Sequence, residues 1–334
     1  MNKIHVLFLT EKWCDCHPDG GSTNSEHNLF ASLASTGLAS QAHFHFDEYV
    51  RRTQTRGDQA LVDFCRQEKP DVIVWTFAFS DPDIFNPQPA TLAFINQQLG
   101  IPIIAIWFDS IWPGVLETAE RYAEYVLLNI ILDSASYYHQ HVRSIGKYLP
   151  LWAPQDPALF YAGDETRDIE VSFIGSLGRY PDRQEAMAAL DTAEISYFQA
   201  GGQREKRIST EAYAAIHRRS QIGLNFCGAN GIDVQMKGRV IEILHSGAML
   251  MEAANPETAR WLTPMVEYVP FDSPTDMVEK ILYYRSHAEA REAIAAAGLL
   301  AAKNRFSAKV FWETVLNEAM HRKIAVNFLR ALGR

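Results

Sequence analysis

The sequence is poor in cysteine, in excess positive charge and in long apolar segments. Four cysteines in 334 residues provide no disulfide framework, which is typical of a reducing cytoplasm. The net charge is -9, so nucleic acid, which proteins usually approach with a basic face, is not an expected partner. The longest apolar runs, IPIIAIWF and YVLLNIIL, are far shorter than the roughly 20 residues that span a bilayer. The sequence therefore predicts no transmembrane segment.

Short apolar runs rich in β-formers alternate with segments of helical periodicity along most of the chain. The first series of such runs is KIHVLFLT, AHFHF, DVIVWTF, IPIIAIWFD, LLNIILD and KYLPLW, and the second is IEVSFIGS, EISYFQA, QIGLNF and GAMLMEA. Strands that are apolar throughout are buried on both faces, and their alternation with helices indicates parallel sheets. In the second series, Asn255-Pro256 and Ser273-Pro274 each place a capping side chain before a proline, which predicts two helix starts.

Prolines, a glycine and charges interrupt this alternation after Ala153. We interpret residues 154–168 as a linker between an N-terminal Rossmann-like domain, residues 1–153, and a C-terminal one, residues 169–305. Two such domains facing each other leave a cleft at the carboxyl ends of their strands, where ligands of open α/β sheets bind. We predict that residues 306–334 form a helical tail that crosses back to the N-terminal domain. The tail is amphipathic and basic, so membrane contact is an alternative that we do not favour.

A strand-to-helix turn of the second series has the composition of a phosphate site. VSFIGSLGR places Gly175, Ser176 and Arg179 between a buried strand and the next helix. Glycine lets the backbone approach a phosphate, the helix N-terminus offers free N–H groups, and arginine adds positive charge. The alternative is a plain tight turn with a surface arginine.

A second turn of similar character precedes the helix that starts near Lys237. On that helix Arg239 and Glu242 are three residues apart and therefore share a face. Glu242 is placed to accept hydrogen bonds from a ribose diol while the helix N-terminus holds a pyrophosphate. The alternative is an Arg239–Glu242 pair at the surface, which contributes only a few tenths of a kcal/mol.

The stretch from Lys237 to about Ala297 resembles the C-terminal segment of glycosyltransferases similar to the spore maturation protein CgeB. The resemblance is carried by Arg239, Glu242, Gly247, Glu252 and a capped helix that starts at Pro274. The upstream segments VSFIGSLG and IPIIAIWFDS also resemble sequences of that family.

This resemblance implies a GT-B enzyme of two Rossmann-like domains, with the acceptor on the N-terminal domain and a nucleotide-diphosphate sugar on the C-terminal one. It implies transfer of a hexose-like sugar to a hydroxyl of a glycan, glycoconjugate or protein, with no obligatory metal. We expect no other cofactor and, from the cysteine count, a cytoplasmic location. Glu242 matches the family's ribose-binding Glu. Val234 stands where retaining relatives commonly carry an acidic residue, with Asp233 beside it, so retention and inversion both stay open.

The N-terminal domain supplies further candidates. Gly20 and Gly21 follow the first strand, where GT-B enzymes often place a glycine loop against the donor phosphates and the acceptor. His27 begins the next helix and is a candidate general base for an inverting reaction. Asp109 ends the strand IPIIAIWFD and is the second candidate base. The alternatives are a solvent-facing histidine and a turn or helix-capping aspartate.

Other functions and sites stay open or are set aside. A sugar-nucleotide epimerase of similar fold and a non-catalytic nucleotide-sugar-binding module are the alternative functions. Asp81-Pro82-Asp83 resembles a metal-binding DxD, but it lies in a proline-rich turn. Cys14, Cys16 and His17 lack the second ligand pair of a zinc site. We therefore assign no residue to a metal.

Overall fold

The computed structural model describes residues 3–132, 137–178, 180–202, 208–227 and 234–331. The chain divides into two compact units. Unit 1 comprises Met1–Pro154 together with Ala308–Arg334, and unit 2 comprises Gln155–Ser307. Within the described ranges, no helix is both long and apolar enough to cross a membrane.

Unit 1 is built on a six-stranded parallel sheet in the order β2-β1-β3-β4-β5-β6. Every residue of β3, β4 and β5 is buried, as expected for a parallel sheet with both faces covered. The strands are β1 (Ile4–Thr10), β2 (Ala39–His45), β3 (Val72–Thr76), β4 (Ile103–Trp107), β5 (Leu128–Ile131) and β6 (Tyr148–Pro150).

Helices connect these strands, and the first of them is irregular. A π-helical segment, Glu26–Ala31, runs directly into α1 (Ser32–Thr36). Such segments are rare and occur frequently at functional sites. The other helices are α2 (Phe46–Thr53), α3 (Asp58–Glu68), α4 (Pro82–Phe85), α5 (Pro89–Gln97), α6 (Val115–Tyr122) and α7 (Tyr137–His141).

Unit 2 contains a five-stranded parallel sheet in the order β11-β10-β9-β7-β8. Its strands are β7 (Ile169–Ile174), β8 (Tyr197–Ala200), β9 (Ser220–Asn225), β10 (Met249–Ala253) and β11 (Val269–Phe271). Its helices are α8 (Pro181–Thr192), α9 (Thr210–Arg219), α10 (Gly238–His245), α11 (Pro256–Ala259), α12 (Pro274–Ser286) and α13 (Ala288–Arg305).

The two proline-associated helix starts are confirmed. The side chain of Asn255 accepts a hydrogen bond from the N–H of Glu257 at 3.0 Å, and that of Ser273 accepts one from the N–H of Asp276 at 3.1 Å. Each bond satisfies an N–H group that has no partner within the helix.

The last helix, α14 (Ala308–Ala331), packs against α1 in unit 1. Trp312 is fully buried, and its indole N–H donates to Ser32 Oγ at 2.9 Å. Ile324, more than two turns further along α14 than Leu316, is 67% exposed. The apolar contact of α14 with unit 1 is therefore concentrated in its first half, whose buried side chains are Phe311, Trp312, Val315, Leu316 and Ala319.

Each sheet has one topological switch point, a pair of neighbouring strands from which the connections run in opposite directions along the sheet. In unit 1 this point lies between β1 and β3, and in unit 2 it lies between β7 and β9. Ligands of open α/β sheets bind at the carboxyl ends of strands at such points. Candidate binding residues are therefore expected directly after these strands. They follow Thr10 and Thr76 in unit 1, and Ile174 and Asn225 in unit 2.

Candidate functional site

At the switch point of unit 2, the turn after β7 allows a very close approach of neighbouring groups. A Cβ added at Gly175 would lie 3.2 Å from Arg239 Nη2 and 2.8 Å from the Phe173 ring. A Cβ added at Gly202 would lie 2.4 Å from the Cα of Ser176. A side chain at position 175 would therefore force the Phe173 ring, and to a smaller extent the guanidinium of Arg239, to shift.

Arg239 projects from the first turn of α10 toward the ends of β7 and β9. Its Nη1 donates to Asn225 Oδ1 at 2.9 Å, and its guanidinium carbon lies 5.5 Å from the ring centroid of Phe173. Its Nε is buried and has no hydrogen-bond partner within the described part of the chain. Arg239 is thus held in place while it retains an unused donor.

Arg183, in the first turn of α8, brings a second guanidinium to this edge. Its Nη1 donates to the carbonyl of Ser176 at 2.9 Å, and its guanidinium carbon lies 3.8 Å from the centroid of the Tyr180 ring. Arg183 is only 6% exposed, and its burial, together with the positive charge of Arg239, lowers its pKa. A buried arginine beside a half-buried one that repels it is the arrangement expected of an anion site.

Glu242 lies one turn further along α10 than Arg239. The side chain is 8% exposed, and Glu242 Oε2 accepts a hydrogen bond from the hydroxyl of Tyr213 on α9. Burial raises the pKa of Glu242, while Tyr213 and Arg239 act in the opposite direction. Since Arg239 binds Asn225 and Glu242 is buried against Tyr213, the alternative of a surface Arg239–Glu242 pair is wrong.

Asn225 links Arg239 to a second buried carboxyl group. Its Nδ2 donates to Glu252 Oε1 at 2.7 Å, while its Oδ1 accepts from Arg239. Glu252, on β10, is fully buried, and burial raises its pKa to about 7 despite hydrogen bonds from Asn225 and Asn255. These contacts fix the amide of Asn225 and with it the direction of the guanidinium.

Three further residues of unit 2 were expected to bind the diphosphate: Ser176, Arg179 and Lys237. Lys237 is the N-cap residue of α10, as expected for a residue at the helix N-terminus. Ser176 is in the turn after β7, where its carbonyl binds Arg183. Arg179 lies outside the described residues, as does Asp233.

At the switch point of unit 1, a cavity of about 440 Å³ opens at the carboxyl ends of β1, β3 and β4. Its volume falls within the range of small-molecule sites. Asp109 lines it with an exposed side chain and a backbone φ of +51°. The other lining residues are Glu11, Cys14, Asp15, Thr23, Asn24, Ser25, Thr76, Phe77, Phe79, Ser80, Ile106, Trp107, Phe108, Trp112, Pro113 and Val115.

Glu11, directly after β1, is a cavity residue that our sequence analysis missed. Its Oε1 accepts a hydrogen bond from Thr23 Oγ1 at 2.9 Å, and its Oε2 accepts a weaker one from Cys16 Sγ at 3.6 Å. Burial raises the pKa of Glu11, and the nearby carboxylates of Asp47 and Asp15 add to that effect. The available clue was a charged residue at the end of a buried strand, the same feature that singled out Asp109.

Gly20, Gly21 and His27 are not among the described residues that line this cavity. A Cβ at Gly20 would lie 2.7 Å from the carbonyl oxygen of Cys14, and Gly21 has a φ of +77°. The two glycines therefore close the loop between Trp13 and Ser22, which form an isolated antiparallel bridge. His27 lies in the π-helical segment and is half-buried. Their roles in binding and catalysis stay predictions.

Within the described residues, no group of three or more His, Cys, Asp or Glu side chains is arranged to hold a metal ion. Neither Cys14 nor Cys16 is in a disulfide, and Asp81 is the N-cap residue of α4. Positive charge at the unit 2 edge comes instead from Arg183 and Arg239.

Comparisons with known proteins agree with this geometry. Residues 158–320 match the family model described as glycosyl transferase-like. No curated protein sequence matches the chain at a significant level. Among solved structures, the chain is similar to Anabaena Alr3699/HepE in complex with UDP and glucose, with a TM-score of 0.65 and 11% identity over 94% of this chain and 98% of that one.

Two further structures show how widely the fold is shared. Sucrose-phosphate synthase from Thermosynechococcus elongatus gives a TM-score of 0.62 at 12% identity, covering 99% of this chain and 100% of that one. A putative UDP-N-acetylglucosamine 2-epimerase from Listeria monocytogenes gives 0.54 at 10% identity, covering 90% and 94%. The chain thus has the GT-B fold of two Rossmann-like sheets, which confirms the predicted fold class.

Proposed function

We propose that this protein is a glycosyltransferase that moves a hexose-like sugar from a nucleotide-diphosphate donor to a hydroxyl of a glycan, glycoconjugate or protein. The observation that carries the proposal is the pair of arginines at the switch point of unit 2, Arg183, which is buried, and Arg239, which is half-buried. Two cations held beside a glycine turn and a helix N-terminus suit a pyrophosphate, whose oxygens accept several N–H donors at once.

In this proposal unit 2 holds the donor. Arg183, Arg239 and the turn at Gly175 and Ser176 bind the diphosphate. Lys237 at the start of α10 and Arg179 add positive charge. The ribose diol donates to the carboxylate of Glu242, sharing it with Tyr213. The buried environment strengthens each of these bonds relative to water.

Transfer breaks the bond between the sugar's anomeric carbon and the diphosphate oxygen, and it forms a bond from that carbon to the acceptor oxygen. Negative charge grows on the departing diphosphate, and the arginines and the N-terminus of α10 stabilise it where other enzymes use a metal ion. The acceptor hydroxyl loses a proton. Asp109 and His27 are the proposed bases for an inverting reaction.

Finer assignments belong to the same proposal. The motif around Arg239, Glu242 and Glu252 favours a CgeB-like subfamily, and the small number of cysteines favours a cytoplasmic role in glycan biosynthesis. Glu252 contributes by holding Asn225, which in turn orients Arg239. No cofactor beyond the donor is part of the proposal.

The test combines binding with product analysis. UDP-glucose is the first donor to try, since the similar Anabaena protein was crystallised with UDP-glucose. We expect calorimetry to show binding of UDP, and mass spectrometry to show glucose transferred to an acceptor or to water with release of UDP. An epimerised sugar nucleotide would instead identify an epimerase. Binding without any turnover across a panel of donors would identify a binding module.

A further inference from the structure

The cavity of unit 1 differs from an ordinary surface depression in its aromatic wall. Phe77 lies between Phe79, at a centroid distance of 4.9 Å, and Trp107, at 5.7 Å. Phe79 is 52% exposed at the rim, although a large apolar side chain gains most from burial. Aromatic faces of this kind bind the apolar face of a sugar ring or a cation.

The polar part of the cavity carries charge of one sign. Among the described residues, its lining includes the carboxyl groups of Glu11, Asp15 and Asp109 and no lysine, arginine or histidine. Asp15 and Asp109 are exposed, and both have positive φ values, of 53° and 51°. Glu11 is half-buried, and the Thr23 hydroxyl at 2.9 Å holds it in place.

Two cations near the loop after β1, Lys12 and Arg51, bind other groups. Lys12 Nζ lies 2.5 Å from Glu48 Oε1, and Arg51 donates to the carbonyl of Cys16 through Nε and Nη2. Behind Glu11, the fully buried Asp47 accepts hydrogen bonds from the backbone N–H groups of Lys12 and Trp13. These bonds fix the loop after β1 without supplying a cation to the cavity.

We propose that this cavity binds the acceptor and selects one that carries no phosphate or carboxylate group. The acceptor's ring packs on Phe77 and Phe79, and its hydroxyl or amino groups donate to Glu11, Asp15 and Asp109. A phosphate here would face three carboxylates with no counter-charge among the described lining residues, which is strongly unfavourable at short range. The inference rests on the proposed function, because it names the substrate class of that reaction's second site.

The experiment measures binding of three matched probes by saturation-transfer NMR at constant ionic strength: glucose, glucosamine and glucose 6-phosphate. Saturating UDP is present throughout, so that the arginines of unit 2 are not available to the phosphate of the third probe. We expect glucose 6-phosphate to bind about tenfold more weakly than glucose, and glucosamine to bind at least as well as glucose. In the double variant Glu11→Gln with Asp109→Asn, glucose 6-phosphate should bind only about threefold more weakly than glucose, or less. Asp19→Asn, which removes an exposed carboxylate of the same loop outside the cavity lining, should leave the ratio unchanged.

Three results would overturn the proposal. They are binding of glucose 6-phosphate equal to or tighter than glucose, binding of none of the probes, and an unchanged ratio in a double variant that keeps the native melting temperature. If the double variant does not fold, Asp109→Asn alone decides, because asparagine tolerates the left-handed backbone at this position. UDP binding, measured separately by calorimetry, tests the donor function of unit 2. Its failure would refute the proposed function without changing the measured order of the probes.

Discussion

The two sheets place opposite charges at equivalent positions. In unit 2, the carboxyl edge at the β7/β9 switch point carries the guanidinium groups of Arg183 and Arg239. In unit 1, the edge at the β1/β3 switch point carries the carboxyl groups of Glu11 and Asp109 beside an aromatic wall. The same topology therefore provides one edge suited to a diphosphate and one suited to a ligand without negative charge.

In the proposed function, the strand order determines where each ligand binds and the side chains determine which ligand it is. Both edges lie at positions that the strand order alone marks as binding sites. Their chemistry is set by residues directly after the strands and in the first turn of the following helix. Mutations at these positions should therefore change ligand charge preference without changing the sheets.

The largest expected effect is the loss of the cationic edge. We expect Arg239→Ala to raise the dissociation constant of UDP about 100-fold, because a charged hydrogen-bonding fork is removed from a buried site. Arg239→Lys should raise the dissociation constant of UDP about tenfold, since lysine keeps the charge but not the paired donors. Calorimetry with UDP and with uridine measures both changes.

The matched control is Arg285→Ala, which removes an arginine of the same unit that pairs with Glu170. UDP affinity should be unaffected by it. Uridine binding should change little in Arg239→Ala. Equal losses for uridine and UDP would show that Arg239 does not contact the diphosphate.

The second prediction concerns the buried carboxyl group behind the cationic edge. Burial raises the pKa of Glu252 from 4.5 to about 7. Because the folded state holds the proton more tightly than the unfolded state, this contribution to stability is complete below pH 4.5 and is lost as pH rises through about 7. At about pH 8, Glu252→Gln should therefore raise the free energy of unfolding by about 1–3 kcal/mol relative to the wild type.

Urea denaturation at acidic and alkaline pH measures this difference. The gain in the free energy of unfolding of Glu252→Gln should disappear at acidic pH, where Glu252 of the wild type is already neutral. Glu279→Gln, at an exposed position on α12, should show no such pH-dependent gain. A gain of equal size at both pH values would mean that the titration of Glu252 is not its cause.

A third and smaller effect separates the ribose from the diphosphate. Glu242→Gln should weaken UDP binding about tenfold, while binding of inorganic pyrophosphate stays within about twofold. Tyr213→Phe removes the hydroxyl that bonds Glu242 but keeps the carboxylate, so its effect on UDP should be smaller. Equal weakening of pyrophosphate and UDP by Glu242→Gln would exclude the ribose role.

Much of the fold could be predicted because its determinants are local. Parallel strands covered on both faces are short apolar runs, and β3 and β4 are buried at every residue. The caps at Asn255 and Ser273 bond within their own helices, so sequence spacing alone locates them. The order of the strands within each sheet could not be predicted this way, since it depends on contacts between distant segments.

The candidate site was only partly predictable for the same reason. Gly175, Arg239 and Glu242 were found from spacing, but the partners that hold them, Asn225 and Tyr213, are 14 and 29 residues from the groups they bind. Those contacts exist only once the strands are in register.

Arg183 and Glu11 were within reach of local reasoning. Arg183 bonds a carbonyl seven residues earlier, and Glu11 directly follows a buried strand. Both were passed over because a single charged residue near a turn is usually a solvated surface group.

The smallest expected effect concerns divalent metal. The unit 2 edge supplies two guanidinium groups and the N-terminus of α10, and in the proposed function these groups balance the charge of a departing diphosphate. We therefore expect donor turnover in excess chelator to stay within about twofold of its value in magnesium. The sharper comparison adds Arg239→Ala, in which magnesium should restore part of the lost donor affinity by replacing the missing positive charge. Loss of wild-type turnover in chelator, with specific recovery on Mn²⁺ or Mg²⁺, would mean that the arginines alone do not stabilise the leaving group and would return attention to Asp81 and Asp83.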